Sequence, residues 1–427
     1  MSGTSFTRLQ AAIERCWNVS DFHRNHWRAR GVADGWVPAS AEELDRLPMI
    51  QKEDFLAAQT AAPPWGGNLC VDPAEIVQVH LTSGTSGIGQ ERYACSASDI
   101  RVMGESWGPQ FDAIGLAPGD VAIFTIPVSF MCAGLSALEG ARIHSLVPLA
   151  TGIASKSMIL DFLTDQHAAY LYGIESFLMQ LASEAKAAGR AGSWGANGDG
   201  RLKGIQSVGS SPQLIEAARE VFGAPLFEVY GCTQAAAKIA TTCHLGVETG
   251  IVHFHDDHLH IEMRDPETGI PVIEGRANIV ISTTYRQASP VIRYDMKDSV
   301  EVIPAGACPC GDPRPGYRPG SVARTDSMMK IRGMNVWPQV IERLLLGHPG
   351  IAEFRGEAVR RSDGSDELLL RVRPNTAAGN PDGLIGALTD DVRRETLVRP
   401  RIVIDTDIPD ADGDYKVRRW LDNRKNS

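Results

Sequence analysis

The strongest constraint on the fold is an alternation of short apolar segments and helical segments between about residues 75 and 300. The segments DVAIFTIPV, AAYLYGI, RLKGIQSVG and PLFEVYG have the length and composition of buried strands. Between them lie ESFLMQLASEAKAAG and SPQLIEAAREVF, whose apolar residues recur at helical spacing. Strands that alternate with helices predict an α/β sheet with helices on both faces.

The chain on either side of this alternation has a different character. Near the N-terminus, TRLQAAIERCW is periodic at helical spacing, and SAEELDRL begins with a serine that predicts a helix cap. The segment ACPCGDPRPGYRPGSVARTDS, residues 307–327, is rich in glycine and proline and predicts a connection between two units. We therefore expect one domain over residues 1–325 and a second over residues 326–427.

The second domain has its own order of elements. A helix in PQVIERLLL is followed by strands in AEFRGEAV and ELLLRVR, a helix in PDGLIGALTDDVRRETL and a strand in RIVIDT. This order predicts a small α+β domain.

Charge and hydropathy argue against several classes of protein. The 427 residues carry a formal net charge of -10, so no global positive field attracts nucleic acid or an anionic membrane. The most apolar window, Val121–Leu138, contains Pro127, Ser129 and Gly134, and we interpret it as a strand that runs into a helix. The start, MSGTSFTRLQAAIERCW, is charged where a signal peptide would be apolar, so we expect a cytoplasmic protein. Eight cysteines are too few for a disulfide scaffold, and paired thiols then favour metal ligands.

The stretch HLTSGTSGIGQERYA, residues 80–94, concentrates glycine and hydroxyl residues. Backbone amides in such a loop can line a site for phosphate oxygens, but the same composition suits a surface turn. The pattern GxxxxGK[ST] is absent, so the stretch is not a Walker loop. The loop alone leaves both interpretations open.

Together with this loop, several later segments resemble the adenylate-forming enzymes, and within them the phenylacetate-CoA ligase-like family of aryl-CoA ligases. TSGTSGIG is similar to the family's SSGTTGKP, and GSSP, residues 209–212, to its GAEP. YGCTQ, residues 230–234, resembles YGLTE, and IRYDMKD, residues 292–298, resembles IRYRTGD. ARTDSMMKIRGMNVWP, residues 323–338, is similar to GRSDDMLIIRGVNVFP and is the most specific match.

The resemblance implies a large adenylation domain, a small mobile lid domain and a two-step reaction. A carboxylate attacks the α-phosphate of ATP held with Mg²⁺, which forms an acyl-AMP, and coenzyme A then displaces AMP. The implied acid is aromatic, and a homodimer is compatible with the family. Two alternatives stay open: the same fold with another acceptor or oxyanion, such as an amine, a carrier-protein thiol or nitrite, and a nucleotide-binding scaffold without turnover.

The same resemblance implies a role for residues in each matching segment. The ATP phosphates would be held by Ser83, Gly84, Thr85, Ser86 and Gly87. The rest of the nucleotide would be contacted by Tyr230, Gly231, Thr233, Asp298, Arg324 and Asp326. Asp298 would accept hydrogen bonds from the ribose hydroxyls, and Lys416 would bring an ammonium to the developing negative charge. A core tyrosine, a turn aspartate, a plain linker and a solvated basic tail are the ordinary alternatives.

Two residues depart from the family where triphosphate and magnesium should be held. Gln234 stands in place of the family's glutamate, and its neutral oxygen binds a hard cation less well. Ile88 replaces the lysine of the phosphate loop. Either phosphates and water hold most of the metal, or the activity is slow or altered in kind.

A second site is implied by cysteines that members of the family use for structural zinc. The matching residues are Cys243, His253, Cys308 and Cys310. Three thiolates and one imidazole suit a closed tetrahedral site. Neighbouring histidines at 244, 255, 258 and 260 leave the choice of imidazole open, and buried free cysteines with a strand histidine are the alternative.

The acid pocket is implied by segments between the phosphate loop and the adenine motif. The candidates are Phe130, Met131, Gly209, Ser210 and Ala235. Ser210 could meet a ring hydroxyl or amine. Ordinary core packing would explain each of these residues equally well.

Overall fold

The chain folds into two compact units, Met1–Val322 and Ala323–Ser427, in a computed structural model. The division falls three residues before the boundary expected from the sequence. The structure describes residues 3–82, 89–152, 154–235, 238–325, 329–332, 334–348, 350–361, 365–375, 381–409 and 419–425.

The first unit contains both helices and strands in alternation. Its helices are α1 (Gly3–Val19), α2 (Asp21–Arg28), α3 (Lys52–Ala61), α4 (Ala97–Glu105), α5 (Gly108–Ile114), α6 (Cys132–Ile143), α7 (Lys156–Asp165), α8 (Glu175–Ala187), α9 (Pro212–Ala217) and α10 (Gly246–Thr249). Its strands are β1 (Ile76–Leu81), β2 (Arg92–Ser96), β3 (Val121–Phe124), β4 (Val147–Ala150), β5 (Tyr170–Ile174), β6 (Gly204–Val208), β7 (Leu226–Tyr230), β8 (Ala240–Thr242), β9 (Val252–Phe254), β10 (Leu259–Arg264), β11 (Gly275–Thr283), β12 (Tyr294–Ile303) and β13 (Gly316–Tyr317).

Most of these strands form one sheet in the order β10-β11-β12-β13-β9-β8-β7-β6-β5-β3-β4. The pairs from β4 to β7 are parallel, and those from β7 to β10 are antiparallel. Alternate residues of the parallel strands enter different cores: Ile123 and Leu171 pack with α7, α8 and α9, whereas Phe124 and Tyr170 pack with α5 and α6. Helices therefore cover both faces of the parallel half, as the alternation predicted.

The apolar window at Val121–Leu138 is a strand followed by a helix, as predicted. It supplies β3 and the first part of α6, and the two are separated by residues 125–131. No helix in the described part of the chain has both the length and the apolar character that a membrane crossing needs.

Two helical predictions need correction. SAEELDRL forms a short 3₁₀ helix over Ala41–Arg46, and the Ser40 side chain does not cap it. The carboxylate of Glu43 instead accepts a hydrogen bond of 2.8 Å from the backbone N–H of Ala39. SPQLIEAAREVF is α-helical only to Ala217 and continues as a π-helical turn over Ala218–Phe222.

The second unit is a small α+β domain, as predicted. Its elements are β14 (Ala323–Arg324), β15 (Met329–Ile331), β16 (Met334–Val336), α11 (Pro338–Leu346), β17 (Ile351–Arg360), β18 (Asp366–Pro374), α12 (Pro381–Thr396), β19 (Arg401–Ile404) and β20 (Trp420–Asp422). The main sheet has the order β19-β18-β17-β20. The sequence did not indicate β20, because three residues carry no readable periodicity. Its Trp420 packs against Phe354 and over Gly356, where an added Cβ would lie 2.2 Å from the indole.

Candidate functional site

Tyr230 and Asp298 come from different motifs and meet inside the first unit. Tyr230 is the last residue of β7, and Asp298 lies on β12. Both are at least nine-tenths buried, and the Tyr230 hydroxyl donates a hydrogen bond of 2.6 Å to Oδ2 of Asp298. Burial and the Asp298 carboxylate raise the pKa of Tyr230 well above its ordinary value. The tyrosine is therefore a neutral donor that orients the aspartate.

The turn after β7 carries Thr233 and Gln234, and a buried arginine holds it. Nη1 of Arg286 donates to the carbonyl oxygens of Thr233 at 3.3 Å and of Gln234 at 2.8 Å, and Nη2 donates to that of Thr233 at 3.2 Å. The Thr233 hydroxyl lies 3.5 Å from Sγ of Cys132, at the start of α6. Because a guanidinium holds two successive carbonyls, it fixes the backbone of this turn.

A buried carboxylate two residues after the segment TSGTSGIG lies beside the same turn. Glu91 has no exposed surface, and its Oε2 accepts a hydrogen bond of 2.8 Å from Nε2 of Gln234. Its Oε1 accepts hydrogen bonds from the hydroxyls of Tyr93 at 2.9 Å and Tyr294 at 2.8 Å. Burial raises the pKa of Glu91, and these hydrogen bonds oppose the rise. An acidic residue at the start of the apolar strand RYACS was the only sequence signal.

A second buried carboxylate, Glu228 on β7, organises the segment GSSP. The Ser210 hydroxyl donates to its Oε2, which also accepts a hydrogen bond of 2.7 Å from the backbone N–H of Gly320. The hydroxyl of Tyr317 donates to Oε1 at 2.9 Å. The hydrogen of the Ser210 hydroxyl is thus engaged within the protein, and only its oxygen can still accept from a ligand.

The predicted pocket residues differ in exposure. Phe130 is 48% exposed, whereas Ala235 is fully buried. Met131 caps α6 at its N-terminus and is partly buried. Gly209 has a φ of 89°, which only glycine adopts readily, and an added Cβ would lie 3.1 Å from the Glu175 carboxylate.

A separate cavity of about 340 Å³ has none of the predicted pocket residues in its described lining. Its lining includes Lys238, His255, His258 and Tyr285. Lys238 is 2% exposed and donates to the carbonyl oxygen of Ser106, and burial lowers its pKa to about 7. No motif indicated this cavity.

The four predicted metal ligands converge on one point of the first unit. The Sγ atoms of Cys243, Cys308 and Cys310 and a ring nitrogen of His253 all lie within 4.8 Å of one another. The Sγ atoms of Cys243 and Cys308 are 3.8 Å apart, and Sγ of Cys310 is 3.3 Å from Nε2 of His253. We call these four residues the thiol cluster.

Sheet register and local packing assemble the thiol cluster. Cys243 follows β8 and His253 lies on the paired strand β9, with Gly316 of β13 opposite His253. Nδ1 of His253 is 3.1 Å from the carbonyl oxygen of Arg314, an acceptor that places the ring hydrogen on Nδ1 and leaves Nε2 to face the thiols. A Cβ at Gly250 would lie 2.7 Å from Sγ of Cys243, so only glycine fits there.

Several predicted residues are placed elsewhere or lie outside the description. Ser83, Gly84, Thr85, Ser86, Gly87, Asp326 and Lys416 lie outside the described residues, as does Ile88. Arg324 is half-buried on β14 of the second unit, and Gly231 follows β7 and is partly buried. Their predicted roles stay predictions.

Comparisons with known proteins find similar sequences and structures over most of the chain. A phenylacetate-coenzyme A ligase from Thermus thermophilus is 27% identical over 377 residues, which cover 86% of this chain and 79% of that protein. A crystal structure of 2-hydroxyisobutyryl-CoA ligase in the postadenylation state, in complex with 2-HIB-AMP, is 25% identical with a TM-score of 0.85 and covers 99% of this chain and 89% of its own.

The same ligase has also been solved with 2-HIB-AMP and CoA in the thioesterification state, and that structure has a TM-score of 0.70 at 25% identity over 99% of this chain and 89% of its own. No known protein-family model matches the chain. These relatives confirm the predicted fold class, a large α/β domain with a small α+β domain.

Proposed function

We propose that this chain is an adenylate-forming ligase that activates a carboxylic acid with ATP and transfers the acyl group to coenzyme A, because the proteins similar to it include phenylacetate-CoA ligases and a 2-hydroxyisobutyryl-CoA ligase. In the first step, a carboxylate oxygen bonds to the α-phosphorus of ATP and pyrophosphate leaves. In the second step, the sulfur of coenzyme A bonds to the acyl carbon, AMP leaves and the thiol proton passes to solvent. The observation that carries the proposal is the similarity to CoA ligases over 86% and 99% of the chain.

The buried pair of Tyr230 and Asp298 supports a nucleotide site at the end of β7. A carboxylate oriented in this way is the kind of acceptor that ribose hydroxyls need. Thr233, on a turn held by Arg286, is suited to contact the α-phosphate. Since phosphoryl-type transfer depends on positioning and charge neutralisation, a rigid turn at this place favours the reaction.

Magnesium is the metal that ATP chemistry of this kind uses, and oxygen ligands suit it. The oxygens that this turn offers are the amide oxygen of Gln234 and the hydroxyl of Thr233. When bound, the metal would neutralise phosphate charge, and these two residues would hold it together with the phosphates.

We propose an aromatic acid as the substrate, as the resemblance implies. Phe130, which is exposed, and Met131, which is partly buried, offer apolar surface to such an acid. The relative with a TM-score of 0.85 is a ligase of 2-hydroxyisobutyrate, which is an aliphatic acid. The acids to be tested must therefore include both types.

We propose that the thiol cluster holds structural zinc. Zinc–sulfur bonds of about 2.3 Å in a tetrahedron place sulfur atoms about 3.8 Å apart, and the Sγ atoms of Cys243 and Cys308 are 3.8 Å apart. Four protein ligands leave no open position for a substrate, so the metal would stabilise the fold and take no part in the reaction.

The function is tested by incubating the purified protein with ATP, Mg²⁺ and a panel of aromatic and small hydroxy acids, with and without coenzyme A. Mass spectrometry should detect an acyl-AMP without coenzyme A, and AMP with a CoA thioester when coenzyme A is present. Lys416→Ala should lose formation of the acyl-AMP, because the resemblance assigns that lysine to the developing charge.

Other outcomes would separate the alternatives. AMP release with an amine or a carrier-protein thiol, and none with coenzyme A, would show a different acceptor. ATP binding by calorimetry without AMP from any acid or from nitrite would indicate a scaffold without turnover and would contradict the proposal.

A further inference from the structure

The Gln234 side chain is one of the two places where this chain departs from the motifs of the family that it resembles. A glutamate at that place would offer a charged oxygen to magnesium, and an amide offers a neutral one. In this protein, however, the Glu91 carboxylate lies 2.8 Å from the Gln234 amide. The two side chains together therefore still include one carboxylate, which is carried by the residue before β2 instead of by the turn.

The contact with Glu91 determines which end of the Gln234 amide is available to a ligand. An ionised carboxylate has no hydrogen to donate, so the amide atom next to it must be the nitrogen. The same nitrogen lies 3.4 Å from the hydroxyl oxygen of Tyr294. Within the described part of the chain, no group donates to Oε1 of Gln234. The amide oxygen is thus the atom left to accept or to ligate.

The main chain anchors Glu91 at the foot of the predicted phosphate loop. The backbone N–H of Thr82 donates to the carbonyl oxygen of Glu91 at 3.1 Å, and the N–H of Glu91 donates to the Thr82 hydroxyl at 3.0 Å. Gln90 donates to the carbonyl oxygen of Thr82 at 3.0 Å. The residues on both sides of the loop are thereby hydrogen-bonded to each other. The main chain of Glu91 is fixed beside the loop, and its carboxylate is fixed beside the turn by Gln234.

We propose that Glu91 is a positioning residue for the magnesium of the ATP complex, which acts by holding the Gln234 amide so that Oε1 faces the metal. The Glu91 charge polarises the amide through its N–H and makes that oxygen a better ligand. This inference rests on the proposed function, because it takes the bound nucleotide to be ATP with magnesium. Glu91 itself need not touch the metal.

A purely structural role is the competing explanation, and another buried carboxylate shows what it would look like. Asp99 on α4 has no exposed surface and accepts hydrogen bonds from the backbone N–H groups of Ser96 at 2.9 Å, Gln287 at 2.7 Å and Ala288 at 3.1 Å. Its partners are all main-chain groups of the fold. One partner of Glu91, by contrast, is the side chain of Gln234, whose Oε1 accepts no hydrogen bond within the described part of the chain.

The experiment measures Mn²⁺ binding by electron paramagnetic resonance, in the full-length protein with a non-hydrolysable ATP analogue. Loss of an outer partner of a metal ligand typically costs about 10- to 100-fold in metal affinity, so Glu91→Gln should weaken Mn²⁺ binding by about that factor. The double variant Glu91→Gln with Gln234→Glu should restore most of the affinity, because it returns the carboxylate to the turn. Gln234→Glu alone places two carboxylates side by side, so its Mn²⁺ affinity should fall as the pH is lowered.

Asp99→Asn is the matched control. It should lower the melting temperature and leave the Mn²⁺ affinity of the folded protein unchanged. If Glu91→Gln does not fold, the double variant carries the test, and its Mn²⁺ affinity should then match that of the original protein.

The proposal is overturned if Glu91→Gln keeps its Mn²⁺ affinity, or if it weakens binding of the metal-free analogue as much as binding of the Mn²⁺ complex. Mn²⁺ binding needs no acid or acceptor, so a protein that binds the Mn²⁺ complex but forms no acyl-AMP would refute the proposed function alone.

Discussion

The thiol cluster and the pair of Glu91 and Gln234 are both small polar sites in the first unit, but they were visible in the sequence to different degrees. All four residues of the cluster were predicted from the family resemblance, which left the choice of imidazole open. Glu91 was not predicted, because glutamate is common and this one lies just after the segment that matches the family. A site that related proteins share can be predicted by resemblance, whereas a compensating residue that is particular to this chain appears only when the chain is folded.

The largest expected effect comes from removing a member of the thiol cluster. Cys308→Ser should reduce zinc from about one per chain to a small fraction, because a serine hydroxyl is a poor ligand for this metal. Loss of a structural metal belongs to the changes that cost more than about 4 kcal/mol. Atomic absorption gives the zinc content, and thermal melting with and without a chelator gives the stability.

Cys70→Ser is the control for that substitution. Cys70 is also buried, but it lies outside the thiol cluster, so the zinc content should not change. The metal site would be contradicted if the unsubstituted protein contained no zinc after purification and were as stable with a chelator as without one.

A smaller effect is expected at the proposed nucleotide site, where hydrogen bonds are lost instead of metal bonds. Asp298→Asn should raise the KM for ATP by about 30-fold, since hydrogen bonds to a charged group contribute about 1.5–3 kcal/mol. Tyr230→Phe removes only the donor that orients this carboxylate, and it should have a weaker effect. Steady-state kinetics of AMP formation measure both variants.

Asp295→Asn provides the matched control on the same strand. Asp295 pairs with Lys297 at 2.7 Å and is only partly buried, so its neutralisation should leave the KM for ATP unchanged. Equal effects at positions 295 and 298 would mean that the strand as a whole, and no single carboxylate, determines nucleotide affinity.

The sequence was most informative where periodicity decides the structure. The predicted helix PQVIERLLL is α11 with the same bounds, and ELLLRVR lies within β18. It was least informative where a contact between distant residues decides the role of a side chain. The hydroxyl of Tyr230, for example, is engaged by a carboxylate 68 positions away, and no local pattern reports that contact.

Gln234 illustrates the same limit. In the sequence alone, this residue showed only that the family's charged glutamate is replaced by a neutral side chain at the end of YGCTQ. In the folded chain, a carboxylate 143 positions away lies beside it. A substitution inside a motif is therefore a weak argument against activity until its three-dimensional neighbours are known.

The smallest expected effect concerns a buried histidine, His80, which contrasts with His253 of the thiol cluster. His253 has partners at both ring nitrogens, whereas among the described residues no hydrogen bond of ordinary geometry reaches a ring nitrogen of His80, on β1. Burial, followed by the charge of Arg286, lowers the pKa of His80 to about 4. The unfolded chain has an ordinary histidine pKa of about 6.5.

The sign of the pH effect follows from these two values. Between pH 6.5 and 4 the unfolded chain binds the proton and the folded chain does not, so stability is fully present above about pH 6.5 and falls as the pH drops towards 4. From pH 6.5 to 5.5, His80 should account for a loss of about 1 kcal/mol. His80→Gln should remove that part of the slope in denaturant unfolding, whereas His167→Asn, at an exposed position with a φ of 51°, should keep it. An unchanged slope in His80→Gln would mean that buried His80 takes up a proton as readily as the unfolded chain does.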